Sequence, residues 1–123
     1  MNYDLSLDLY YKGREKLCKG EIENAIDLLN KSIELYPHAG AYAMLHKCYM
    51  KKGMPEKAFE CIENAFKENP KGDMIGYEYA KMLMELWGDR EGACEIIRQI
   101  MGRNSTYKKA AVLLDEIFNE KKA

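Results

Sequence analysis

The apolar residues of the chain recur at helical spacing in three similar stretches. In each stretch an alanine is followed four residues later by a branched aliphatic residue, and residues at this spacing lie on one face of an α-helix. The three pairs are Ala25 with Leu29, Ala58 with Ile62, and Ala93 with Ile97. Residues that favour helices occur throughout, and the chain has only three prolines. The pattern therefore predicts an all-α protein.

A glycine stands five residues before each of these alanines. A glycine just past the end of a helix can adopt the left-handed conformation that closes it, and a short turn then leads into the next helix. Pro55 suits the first turn of the following helix because no N–H is needed there, and Asp89 can cap its counterpart. The three glycines, which recur after 33 and then 35 residues, are Gly20, Gly53 and Gly88.

Two prolines mark where the second helix of a pair should end. Pro37 and Pro70 cannot continue the backbone hydrogen bonds of a helix, so each is expected to follow a helix end. The small alanine one turn into each second helix lets two helix backbones approach closely. We therefore predict three antiparallel helix pairs, over residues 6–38, 39–72 and 74–105.

A seventh helix is predicted over residues 106–121, with Asn104 and Ser105 as candidate caps. Its apolar stripe at helical spacing consists of Ala110, Ala111, Leu114, Ile117 and Phe118. Such a helix would cover the apolar face that the last pair of a helical array otherwise exposes. Residues 1–123 are accordingly expected to form a single domain.

The three segments together resemble the tetratricopeptide repeat (TPR) family over nearly the whole chain. The second pair matches best, with Tyr42, Leu45, Tyr49, Gly53, Ala58, Ile62, Ala65 and Pro70. It departs from the family at His46, where a small residue is usual. The resemblance implies a right-handed superhelical solenoid of antiparallel helix pairs with seven helices.

The resemblance also implies a binding surface, because the first helices of TPR pairs line a concave groove in which peptides bind. Transferred position by position, the groove residues are Tyr10, Tyr11, Arg14, Met44, Lys47, Met50, Tyr79 and Met82. Tyrosine and methionine are common on surfaces that accept apolar side chains of a partner. The expected function is a non-catalytic adaptor or chaperone-like module that holds a protein or peptide partner by hydrophobic anchors.

Two alternatives stay open at this point. Lys12 and Lys16 stand where the family prefers apolar residues, so the first helix could be rotated and Tyr10 and Tyr11 could belong to the core. The chain could also be a self-associating scaffold subunit, with a second copy as its partner. Some TPR proteins clamp a C-terminal carboxylate with cations and asparagine, and of that pattern only Arg14 is present here.

Composition argues against other kinds of partner. The formal net charge is −1, whereas a nucleic-acid binder would carry a marked basic excess. No apolar run approaches the roughly 20 residues of a membrane span, and the N-terminus lacks the features of a secretory signal. We therefore expect a cytoplasmic protein with no nucleic-acid and no membrane partner.

The sequence offers no set of residues for catalysis, a metal or a cofactor. The four cysteines are scattered without a Cys-x-x-Cys pair, so free thiols are expected rather than a zinc site. His46 and Cys48 are two positions apart and point to different sides of a helix, which excludes a dyad. His46 is expected to be a packed or hydrogen-bonded core residue, and His38, in the turn after Pro37, to be exposed to solvent. We predict no enzymatic activity, no metal and no cofactor.

Overall fold

A computed structural model describes the backbone of residues 2–122 and the side chains of residues 2–119. Over this range the chain forms α-helices and no strand, so the all-α prediction is confirmed there. The seven helices are α1 (Asn2–Cys18), α2 (Ile22–Leu35), α3 (Ala39–Lys51), α4 (Pro55–Glu68), α5 (Asp73–Trp87), α6 (Arg90–Arg103) and α7 (Lys108–Lys122). The first helix begins four residues before the predicted start of the first pair.

The helices belong to two compact units, Met1–Asn69 and Pro70–Ala123. In the first unit α1 packs on α2, α3 packs on α4, and α3 also contacts both helices of the first pair. In the second unit α5 packs on α6, and α7 contacts both of them. The single domain expected from the sequence stays a prediction.

The predicted turns are confirmed. The amide N–H of Glu21 donates to the carbonyl of Lys16 at 2.9 Å, and that of Met54 donates to the carbonyl of Tyr49 at 2.9 Å. These bonds satisfy carbonyl groups that the helix ends leave free, and they require a left-handed residue just before the donor. The left-handed residues are Gly20, Gly53 and Gly88, with φ of +81°, +71° and +61°.

Helix starts and stops also follow the local chemistry. Pro55 is the first residue of α4, where its missing N–H costs nothing. The carboxylate of Asp89 accepts a hydrogen bond from the N–H of Gly92 at 2.9 Å and so caps α6. Helices α2 and α4 each end two residues before a proline, at Leu35 and Glu68.

In the first unit the helices of each pair meet at small residues. Gly13 of α1 lies so close to α2 that a Cβ placed on it would be 2.9 Å from Cγ of Leu29. Ala25 and Ala58, the alanines one turn into α2 and α4, are fully buried. His46 of α3 is buried, and its Nδ1 lies 3.0 Å from the carbonyl oxygen of Ala58. The prediction that His46 is a hydrogen-bonded core residue is thereby confirmed.

Two buried serines join α1 to α2, a contact that the sequence pattern did not indicate. The Ser6 hydroxyl donates to the carbonyl of Ser32 at 2.7 Å, and the Ser32 hydroxyl donates to the carbonyl of Ser6 at 2.7 Å. Both side chains are fully buried. The reciprocal bonds satisfy two hydroxyl groups that would otherwise be costly to bury.

His38 is not the solvent-exposed turn residue that the sequence suggested. It is half-buried and caps α3, because its Nδ1 accepts a hydrogen bond from the N–H of Ala41 at 3.4 Å. Its Nε2 lies 3.2 Å from Oγ of Ser32, and its ring meets that of Tyr10 edge to face at 5.1 Å. The turn between α2 and α3 is only three residues long, which holds the imidazole against α1 and α2.

In the second unit α5 and α6 also meet at a glycine. A Cβ on Gly76 would lie 3.0 Å from Cδ1 of Ile100, and Ala93 and Ile97 of α6 are fully buried. The predicted cap of α7 at Asn104 is wrong. Asn104 instead follows the last residue of α6, and its side-chain amide donates to the carboxylate of Asp73 at 3.2 Å.

Candidate functional site

Helix α1 presents two tyrosines and an arginine on the predicted surface. Tyr10 is half-buried: its ring lies 5.1 Å from that of His38 and 5.1 Å from that of Tyr11. Tyr11 is 57% exposed, so it does not belong to the core. Arg14 lies three residues after Tyr11, on the same side of the helix, and is also exposed. The first helix is therefore oriented with Tyr11 and Arg14 towards solvent.

Helix α3 presents two methionines and two lysines on its corresponding side. Met44 is half-buried, whereas Lys47, Met50 and Lys51 are exposed. Lys47 and Lys51 are four residues apart, a spacing that makes neighbours on a helix surface. Met44 is three residues before Lys47, so these side chains follow one another along one side of α3.

Helices α1 and α3 line an open cleft of about 370 Å³. Its lining residues are Arg14, Leu17, Cys18, Met44, Lys47 and Lys51. Three of the predicted groove residues, Arg14, Met44 and Lys47, are thus brought together. Tyr10, Tyr11 and Met50 do not line the cleft. Cys18 had not been predicted, although its position one helical turn after Arg14 was a usable signal.

The two groove residues predicted on α5 differ in accessibility. Tyr79 is half-buried. Met82 is 2% exposed and packs in the interior, so it cannot contact a partner without a rearrangement of α5. Met82 is one residue before Leu83 and two after Ala80, which are also buried. Helical spacing alone does not say which side of a nearly apolar helix faces the core.

Two cysteines of the core that adjoins the cleft, Cys48 and Cys61, have raised pKa values. Burial raises the pKa of the Cys61 thiol to about 11, and burial also raises the pKa of Cys48. Both thiols therefore stay protonated at neutral pH and are poor nucleophiles. The two imidazoles are engaged in structural hydrogen bonds, His38 at the start of α3 and His46 to the backbone of α4.

No group of three or more His, Cys, Asp or Glu side chains within residues 2–119 is arranged to hold a metal ion. None of the helices in the part of the chain described is long and apolar enough to cross a lipid bilayer.

No protein-family model and no curated protein matches the sequence, but many solved structures match the fold. The first TPR of Spaghetti (RPAP3), bound to the HSP90 peptide SRMEEVD, has a TM-score of 0.85 at 16% identity, over 98% of this chain and 96% of that one. The Arabidopsis OM64 TPR domain has a TM-score of 0.82 at 15% identity, over 98% and 99%.

A third solved structure is a bacterial secretion chaperone. Yersinia enterocolitica SycD, in complex with a peptide of the translocator YopD, has a TM-score of 0.80 at 15% identity, over 96% of this chain and 95% of that one. These likenesses establish an all-α fold of the TPR type, as the repeat pattern predicted.

Proposed function

We propose that this chain is a non-catalytic protein-interaction module, an adaptor or chaperone-like domain, that holds a peptide segment of a partner against α1 and α3. The observation that supports this most directly is the cleft between those helices, with Met44 in its lining. Tyr11, on the same side of α1 as Arg14, adds an exposed aromatic ring beside it. Aromatic residues, methionine and arginine are enriched at surfaces that bind protein, and the rims of such surfaces are polar.

The solved structures give independent support for a peptide as the ligand. RPAP3 and SycD, which share the fold, are each bound to a peptide. Their identity to this chain is about one residue in six, so their partners are not transferred. What this chain binds has to follow from its own side chains.

The expected affinity is modest. Burial of one apolar side chain gains about 1.5–3 kcal/mol, whereas association costs about 4–15 kcal/mol in lost freedom of motion. Three anchors at the upper figure and association at the lower one leave about 5 kcal/mol, so the anchors alone give short peptides dissociation constants of about 0.2 mM or weaker. A tighter complex would need a longer partner segment.

Selection from a displayed library of random peptides would test this proposal. Enriched peptides would be synthesised and their Kd measured by fluorescence anisotropy against the wild type and Tyr11→Ala/Met44→Ala. We expect the double variant to weaken binding at least tenfold, which corresponds to the loss of about 1.4 kcal/mol or more. Circular dichroism would confirm that the variant is folded, since Met44 is half-buried.

Leu5→Ala is the matched control for that measurement. Leu5 is on the same helix and is 57% exposed, as Tyr11 is. It lies on the opposite side of α1 from Arg14, because nine residues turn an α-helix by about 180°. Unchanged binding by Leu5→Ala and loss by the double variant support the proposal. Equal binding by all three proteins would reject it.

A self-associating scaffold subunit is the second candidate function. It is supported by large apolar side chains in the second unit that are exposed to solvent. Trp87 at the end of α5 is 61% exposed, and Val112 and Phe118 of α7 are also exposed. Exposed apolar residues of this size can mark sites of protein association.

A further inference from the structure

The cleft between α1 and α3 has a cationic rim. Arg14 comes from α1, and Lys47 and Lys51 come from successive turns of α3. The remaining lining residues are Leu17, Cys18 and Met44, so none of the six is an aspartate or a glutamate. Leu17 is 7% exposed. It belongs to the hydrophobic core of this unit and also forms an apolar part of the cleft lining.

These three cations differ from the lysines around them. Lys12 pairs with Asp8 at 3.0 Å and Lys19 pairs with Glu15 at 3.0 Å, and none of these four residues lines the cleft. Further ion pairs of this unit join Lys16 to Glu21 and Lys52 to Glu23.

Among the residues that the structure describes, Arg14, Lys47 and Lys51 have no carboxylate partner within ion-pair distance. Glu15, the nearest acidic residue to Arg14 in sequence, is directed to Lys19 instead. Like charges gathered at one cleft raise the local positive potential and attract anionic groups.

We propose that the segment held in this cleft is acidic and internal to a partner chain. This inference rests on the proposed function. Aspartate or glutamate side chains of the segment pair with Arg14, Lys47 and Lys51, and an adjacent apolar side chain packs on Met44 and Leu17. The carboxylates are those of side chains, so a free C-terminus is not required.

A nucleic acid is the other polyanion that could bind at a cationic cleft. The charge distribution favours an acidic protein segment as the ligand. A nucleic-acid strand is bound by a track of cations that follows several phosphates. Here the cations are three around one cleft of about 370 Å³, and the whole chain has a net charge of −1. A short acidic segment with one apolar anchor matches that extent.

The composition of the selected peptides is the first test. We expect Asp and Glu to be enriched next to an apolar residue. Each enriched peptide would then be made with an amidated C-terminus, together with a twin in which Gln and Asn replace every Glu and Asp. The acidic peptide should bind wild-type protein about tenfold more tightly than its neutral twin, from two or three partly exposed ion pairs. Added salt should reduce that difference.

Matched charge variants distinguish binding of the acidic peptide in the cleft from its general electrostatic attraction to the protein. Lys47→Gln/Lys51→Gln removes two cations of the rim, and Lys12→Gln/Lys19→Gln removes two cations that do not line the cleft. The rim variant should lose about tenfold in affinity for the acidic peptide and little for the neutral twin. The control variant should lose less than about twofold for either, because Lys12 and Lys19 do not line the cleft and are already paired with Asp8 and Glu15.

Cys18 offers a direct test of location. It is exposed and lines the cleft, whereas Cys94 lines a different cavity, in the second unit, with Arg90 and Arg98. A saturating acidic peptide should slow alkylation of Cys18 by iodoacetamide at least threefold and leave that of Cys94 unchanged. Mass spectrometry of the digested protein distinguishes the two sites.

Different failures have different meanings. Peptides that depend on Tyr11 and Met44 but show no acidic enrichment overturn the acidic segment and leave the proposed function standing. Three further results would overturn the acidic segment as the ligand. They are equal losses of affinity by the rim and control variants, binding that requires a free C-terminus, and displacement of the peptide by single-stranded RNA. If no peptide is enriched, the proposed function and this inference fail together.

Discussion

At the scale of single residues, His38 shows how a turn can be held by one side chain. Its Nδ1 accepts from the backbone of α3 and must therefore be unprotonated, while Nε2 faces the hydroxyl of Ser32. The neutral imidazole thus joins the start of α3 to the serine contact between α1 and α2. Burial lowers the pKa of His38 and outweighs the opposing effect of Glu68.

This arrangement predicts a stability that depends on pH. Below the ordinary histidine pKa of 6.5, the unfolded chain binds a proton more readily than the folded one. The free energy of unfolding should therefore fall as the pH is lowered from about 7.5 to about 5.5. Thermal melts across this range would measure the effect.

His38→Asn provides the control, because asparagine is a good helix cap and does not titrate. Its melting temperature should change less over the same pH range than that of the wild type. If both proteins lose the same stability on acidification, the imidazole of His38 is not responsible.

At the scale of helices, small residues decide how closely a pair can pack. Gly13 and Gly76 each face a large aliphatic residue of the partner helix, Leu29 and Ile100. A larger residue in place of Gly13 or Gly76 would push against that aliphatic side chain. Gly102 of α6, by contrast, faces open space. The same residue type thus has a packing role in two helices and none in the third.

Two alanine substitutions should therefore have opposite effects. Gly13→Ala places a Cβ 2.9 Å from Cγ of Leu29, and such overpacking costs about 1–3 kcal/mol. The gain in helix propensity, about 1 kcal/mol at most, does not offset it. Gly102→Ala meets no atom within 4 Å and should stabilise the protein by up to about 1 kcal/mol. Urea unfolding followed by circular dichroism would compare them, and equal stabilisation by both would contradict the packing role of Gly13.

At the scale of the whole molecule, the two candidate functions make different demands on oligomeric state. A peptide-binding module needs the α1 and α3 cleft to stay accessible. A scaffold subunit would cover apolar residues such as Trp87 and Phe118 with another copy of the chain. The molecular mass in solution therefore distinguishes a monomeric peptide-binding module from a self-associating scaffold subunit.

We expect a monomer. Sedimentation equilibrium should give a mass near 14.2 kDa from low to high micromolar concentration, since we propose that the exposed cleft serves another protein. A mass that doubles with concentration, and returns to the monomer in Trp87→Ser/Phe118→Ser, would favour the scaffold subunit instead. The double variant changes exposed residues only, so its helical content should match that of the wild type.

The helix pairs were predictable from sequence because the signals that bound them act locally. A glycine with positive φ, a proline without an N–H and an aspartate cap each act within one turn of their own position. Gly20, Pro55 and Asp89 therefore indicated the correct turns. The threefold recurrence of a glycine followed five residues later by an alanine then indicated the TPR-type fold.

Only the tertiary structure decided which side chains meet. The bonds between Ser6 and Ser32 join residues 26 apart, and Asn104 bonds to Asp73, 31 residues away. Helical spacing places a residue on one side of its own helix, but it does not say which neighbouring helix that side faces. For this reason Met82 was predicted at a surface but lies in the core. The proximity of Arg14 to Lys47 and Lys51 likewise depends on the packing of α1 against α3.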